Sequence, residues 1–245
     1  MKILLPADRS IDHERGSRQV GARVPRDQRK LPPGRHGIPA DQVADDQRGR
    51  ILDAVVTAVG RRGYADATVE DFVSGAGVSR KTFYQHFANK QVAFLTAFDQ
   101  VADRLVTAVH TAYSAHEDYV SSAREALEST LRELAADPDA AALGIVEVFA
   151  AGPEALRRRG EIIRNLTEVI TEQTRNFPQT ALGASFTAET IVGAVLEVLY
   201  NRVQRGEAEQ LPELLPDLLF CVVAPFIGEQ RATEERAKAQ RIATS

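Results

Sequence analysis

Between Ser79 and His86 the sequence SRKTFYQH sets Arg80, Lys81, Thr82, Gln85 and His86 against apolar Val78, Phe83 and Phe87. At helical periodicity the two sets fall on opposite sides of a short helix, apolar side inward and hydrogen-bonding side outward. Cationic, hydroxyl and carboxamide groups on one outer face are the types that bond phosphate oxygens and base edges. A guanidinium or ammonium suits O6 and N7 of guanine, and a carboxamide suits adenine. The available chemistry is therefore recognition of a duplex, not bond-making. No Gly-rich phosphate loop, His-x-x-x-His pair, Cys-x-x-Cys pair or GxSxG turn occurs, and the five histidines are scattered, so neither catalysis, a metal nor a cofactor is expected.

The elements that must position these residues are readable on both sides. Thr68 followed three residues later by Asp71 is a capping box that starts a helix at Val69. Phe72, Val73 and Ala76 give that helix a buried face, Gly77 permits a turn with positive φ, and Ser79 caps a second helix from Arg80. The unit reads as helix, tight turn, helix, in which the second helix enters the major groove while the first crosses the backbone. By its turn alone an ordinary helical hairpin would be the far commoner reading, and the outward residues are what stand against it. Upstream, a helix over Asp41 to Arg62 carries the stripe Ile51, Leu52, Val55, Val56 and Val59, with Arg48 and Arg50 just before it and in reach of a phosphate. Downstream, Asn89 caps a helix whose face Phe94, Phe98, Val101, Leu105 and Val109 runs unbroken past Ser114. Its length, on the order of 35 to 40 Å, would make it a rigid lever.

Read together, Ile51-Leu52-Asp53-Ala54, Gly63-Tyr64, Thr68 before Val69-Glu70-Asp71, Ala76-Gly77-Val78-Ser79, Thr82-Phe83-Tyr84-Gln85-His86-Phe87 and Asn89-Lys90 resemble the DNA-binding domain of the TetR family of transcriptional regulators. The resemblance covers about a fifth of the chain. It implies an all-α chain: an N-terminal three-helix helix-turn-helix domain over 41–98 and a larger helical effector-binding and dimerisation domain over 99–245. It assigns phosphate contacts to Thr68, Tyr84 and Lys90, leaving Ser79, Arg80, Lys81, Thr82, Gln85 and His86 to cap and present the reading face. Tyr84 could instead pack between helices with Phe83 and Phe87.

Charge is distributed to match. Residues 1–40 carry nine Lys or Arg against four Asp or Glu, residues 41–98 seven against seven, and residues 99–245 fourteen against twenty-three. A flexible basic arm is expected over 1–40, where Pro32, Pro33 and Pro39 forbid a helix. Within it Arg35 either reaches into a minor groove or belongs to a solvated linker. The start MKILLPADRS has too short an apolar run for a secretory leader, and the sequence shows no uninterrupted membrane-length apolar stretch. A soluble cytoplasmic protein without membrane contact is expected, and Cys221 in LLFCVVAPF reads as a buried core thiol.

Behind the lever the pattern is helical throughout. Helices are expected over Tyr119 to Ala136, Asp139 to Ala151, Glu154 to Asn176 with Leu156 inward, Thr187 to Arg205 with Val198 inward, and Leu211 to Ile227, where Pro212, Pro216 and Pro225 mark turns or kinks, followed by a frayed polar tail from Glu229. The resemblance implies that helices 187–205 and 211–227 pair with their counterparts in a homodimer, which would bind a palindromic double-stranded operator. It also implies a small-molecule effector held between Val92 and Asn176 and the face of 187–205. Polar residues embedded there, His110, Tyr113, Glu147, Asn165, Glu197 and Tyr200, are candidate ligand contacts or satisfied core groups, and Phe149 could line the site. The expected function is a ligand-released repressor. A ligand-independent architectural or partner-controlled DNA-binding protein is the alternative, and it would have a filled core in place of a cavity.

Overall fold

Helix α1 (Ala40–Arg62) turns Ile51, Leu52, Val55 and Val59 to one side, and all four are buried. The computed structural model describes residues 40–175, 177 and 183–243, and every regular element among them is helical. The basic arm with Arg35 lies outside the described residues. Helices α2 (Val69–Ala76) and α3 (Arg80–His86) fold over the α1 stripe, bringing Phe72 and Phe83 into it with ring centroids 6.2 Å apart. Helix α4 (Lys90–Ala115) closes this front unit. Asn89 caps it by accepting from the Val92 amide at 2.9 Å, and Phe94 and Phe98 enter the same core. Its 26 residues reach about 39 Å at 1.5 Å per residue.

Helix α5 (Tyr119–Ala136), capped by Asp118, runs back along α4. The regular helix expected over Asp139 to Ala151 is not formed. A single turn, α6 (Pro138–Ala141), widens into a π turn at Ala142–Val146 and tightens into a 3-10 turn at Glu147–Phe149. This segment is confined from two sides. A Cβ on Gly60 of α1 would lie 2.5 Å from Asp139 Cα, and one on Gly144 would lie 3.2 Å from the Val101 side chain. Ala140, Leu143, Val148 and Ala151 of the segment complete the front core.

Helices α7 (Pro153–Thr174) and α8 (Ala184–Gln204) follow. The expected Leu211 to Ile227 helix is divided at its prolines. Ala208–Leu214 is a 3-10 helix containing Pro212, and α9 (Leu215–Ile227) begins with Pro216 in its first turn, where a missing amide proton costs nothing. The polar tail is a packed helix, α10 (Glu229–Ala243), with Ala232 and Ala239 buried in the rear core. Arg124 pairs with Glu235, and Arg236 with Asp217 at 2.7 Å, across its flanks.

Three inward expectations are reversed. Leu156 and Val198 are exposed, and so is Cys221. On α9 the buried set is Leu215, Pro216, Leu218, Leu219, Val222, Val223 and Phe226, which leaves Asp217, Cys221 and Pro225, spaced four apart, on the open side. Among the described residues, Ala208–Ile227 is long and apolar enough to cross a bilayer. Its Leu211, Leu215, Leu219 and Val223 are instead buried in the helical interior.

Candidate functional site

The turn between α2 and α3 is held by backbone conformation and by one arginine. Gly77 sits at φ 62°, ψ 40°, the left-handed conformation that ends a helix without a Cβ penalty, and its amide donates to the Ser74 and Val73 carbonyls. From α1, Arg50 donates to the Ala76 carbonyl at 2.5 Å while its Nε bonds Asp46 at 2.9 Å. Arg50, a candidate phosphate contact by its place ahead of the stripe, is turned inward here as a positioning residue. An arginine ahead of an apolar stripe carries no sign that its partner is a carbonyl twenty-six residues away.

The caps form as expected. Thr68 Oγ1 accepts from the Asp71 amide at 3.2 Å, and the Asp71 carboxylate accepts from the Thr68 amide and hydroxyl at 2.9 and 2.7 Å. Hydrogen bonds from Thr68, with Arg62 beside it, hold the Asp71 carboxyl below the usual carboxylate range. The Thr68 hydroxyl proton is thus committed inside the capping box, which makes its role the start of α2. Ser79 Oγ accepts from the Thr82 amide at 3.0 Å and lies 2.8 Å from Thr82 Oγ1, so both residues serve the first turn of α3.

Phe83 is the buried pivot of α3, flanked by Phe72 and Phe87. Opposite it, Arg80, Lys81 and Gln85 are exposed, and Tyr84 is 51% exposed with its ring edge resting on Phe83. This outer face of α3 is therefore open among the described residues. His86 is half-buried and turned toward Gln47 of α1, with Nε2 and Oε1 3.5 Å apart. Arg48 lies over the Phe87 ring at 5.4 Å. Lys90 donates to the Ala65 carbonyl at 3.2 Å and lies 4.4 Å from the Tyr64 ring centroid, and burial pushes its pKa down. These three flank the exposed face and also brace it.

Two linked cavities lie in the rear half. One cavity of about 110 Å³ lies between α4, the π turn, α7 and α8, with Leu105, Gly144, Ile145, Arg159, Ile162 and Tyr200 in its wall. A second of about 110 Å³, walled by Tyr113, Leu127, Ile170, Ile191 and Val195, shares Val109, Thr130, Leu166, Leu196 and Leu199 with the first. Their lining is almost wholly aliphatic. Of the candidate ligand residues, Tyr113 and Tyr200 line this space. Burial raises the pKa of the Tyr113 phenol, so it is neutral there. Phe149 is 48% exposed and meets Tyr200 edge to face at 5.5 Å.

The remaining candidates stand elsewhere. His110 and Asn165 are exposed and bond each other at 2.9 Å. Glu197 is exposed and accepts from Asn201 at 2.9 Å. Glu147 accepts from the Tyr64 amide at 2.6 Å, and Asp139 of α6 pairs with Arg61 at 3.3 Å. Glu147 joins the cavity wall to the front unit and does not line the hollow, its carboxylate being held at the loop after α1 by the Tyr64 amide. Arg159, which sequence reasoning did not single out, lines the first cavity.

Comparison with known proteins agrees with this geometry. The family of bacterial regulatory proteins, tetR family, matches residues 51–95. Over 84 residues the chain is 37% identical to the HTH-type transcriptional regulator EthR of Mycobacterium tuberculosis, a match covering 34% of this chain and 38% of that protein. Over 85 residues it is 33% identical to the HTH-type transcriptional activator FasR of Mycolicibacterium smegmatis, covering 35% of this chain and 39% of that one. The matched part is thus well under half the length of either relative. The fold is similar to that of the transcriptional regulator FadR from Bacillus subtilis, solved in complex with stearoyl-CoA, with a TM-score of 0.63 at 18% identity over 74% of this chain and 98% of that one.

Proposed function

We propose that this chain, whose residues 51–95 match the bacterial regulatory proteins of the tetR family and whose relatives over that stretch are transcriptional regulators, is a ligand-responsive repressor acting as a homodimer on a palindromic operator in the cytoplasm. One observation carries this reading: α4 leaves the unit that presents α3 and enters the wall of an apolar hollow. Arg80, Lys81, Gln85 and Tyr84 supply the exposed donors for bases and phosphates, while Phe83 fixes their direction. A hollow interior favours a small-molecule effector over the ligand-independent alternative.

The effector shifts an equilibrium between two arrangements of α4, and it weakens DNA binding only as far as it prefers the incompetent one. A second link supports the coupling. Gly144 and Ile145 line the cavity, and Glu147, on the same short segment, bonds the loop that follows α1. For the dimer, α8 leaves Phe186, Gly193, Ala194 and Val198 open, and α9 leaves Cys221 and Pro225 open. Small and apolar residues there suit helix-on-helix pairing about a twofold axis.

Footprinting with purified protein tests the reading. A single palindromic site should be protected and released by a small molecule that enters the hollow. Arg80→Ala or Gln85→Ala should relax base preference by about 1–3 kcal/mol at one position of each half-site. Equal affinity for operator and bulk DNA would sink the proposal, and activation in place of release would reverse its sign.

A further inference from the structure

Three arginines follow one another on α7, and the third is in different company. Arg157 pairs with Glu154 and Glu161, and Arg158 with Glu154 and Asp99. Hydrogen bonds from these two hold the Glu154 carboxyl down to about 2. Arg159 has no carboxylate within ion-pair distance among the described residues. Its guanidinium lies 4.8 Å from the Phe149 ring centroid and lines the first hollow beside Tyr200.

Arg159 is the sole charged side chain in the wall of either linked cavity. It is half-buried, and loss of water pushes its pKa down, opposed at longer range by Glu197 of α8. An aromatic face compensates a desolvated cation only in part, since cation–π attraction is far weaker than the hydration it replaces. Against an otherwise aliphatic wall, an unpaired fork of donors selects for an anion at that end and aliphatic matter beyond it. A wholly apolar ligand would deepen the burial of Arg159 without pairing it, and a cationic one would be repelled.

We propose that Arg159 is the headgroup site of the effector cavity, and that the effector is an amphiphile whose aliphatic chain fills the linked hollows while its carboxylate or phosphate end meets the guanidinium. This rests on reading the hollow as an effector site. Calorimetric titration of the full chain with decanoate, decyl phosphate and decanol separates the two claims. At least one anion should bind tenfold or more tightly than decanol, as a charge-assisted pair requires. The tighter anion identifies the headgroup. Arg159→Gln should erase that preference, Arg159→Lys should keep part of it, and Glu197→Gln should widen it, with circular dichroism confirming that each variant folds. Decanol matching both anions, or a preference that survives Arg159→Gln in a folded protein, overturns the headgroup role and leaves the cavity reading standing. If none of the three binds, the effector reading falls and this proposal with it.

Discussion

The two halves of α4 are similar helix in unlike surroundings. Phe94 lies in an interior where Ile51, Val59, Phe72 and Phe83 have no exposed surface, Phe98 stands at its boundary with the first cavity, and Leu105, Val106 and Val109 border open volume. A close-packed interior resists any change of volume, because each lost or added methylene is felt by every neighbour. A hollow one has contacts still to gain. One helix thus joins a front that holds its shape to a rear whose shape depends on its contents.

The comparison is sharpened most by Phe83→Ala. Truncating a fully buried aromatic should cost about 3–5 kcal/mol in urea unfolding, while Leu166→Ala, beside space that can relax, should cost about 2–3 kcal/mol at most. Equal losses would break the distinction. Next comes overfilling: Val59→Phe in the front should cost about 1–3 kcal/mol, while Leu166→Phe should leave stability within about 1 kcal/mol and abolish effector binding by calorimetry. Gly60→Ala tests the seam between the regions. In an ordinary helix this change stabilises by about 1 kcal/mol. Here the added methyl would stand 2.5 Å from Asp139 Cα, so the thermal midpoint should fall.

The smallest effect concerns Asp71. Its folded-state pKa is depressed by hydrogen bonds from Thr68, so its contribution is present above the ordinary carboxylate value and is lost as pH falls through the depressed one. Asp71→Asn should lower the thermal midpoint near neutrality and converge with the parent protein as pH falls below the ordinary carboxylate range. A constant difference across that range would remove Asp71 from the capping account.

What was legible in the sequence follows the reach of each signal. The capping box at Thr68, the turn at Gly77 and the caps at Ser79 and Asn89 lie within four residues of what they control, and all four form. The α3 face was equally readable, since Phe83 and Phe87 set its inward side by spacing alone. Cys221 was misplaced because an apolar run names no side, and only the neighbours of α9 decide which residues face in. Glu147 looked like a cavity residue because it interrupts an apolar stretch. Its partner, the Tyr64 amide, lies eighty-three residues away. The irregular 138–149 segment and the lining role of Arg159 are likewise set by elements far apart in the chain.

Cys221 carries a practical consequence. It is the only cysteine among the 245 residues and it is exposed on α9, so a maleimide spin label reports from a single position per chain without removing other thiols. If two chains associate through α8 and α9, pulsed dipolar spectroscopy would return one narrow interspin distance. Its shift on adding a candidate amphiphile would follow the rearrangement directly, with no nucleic acid present.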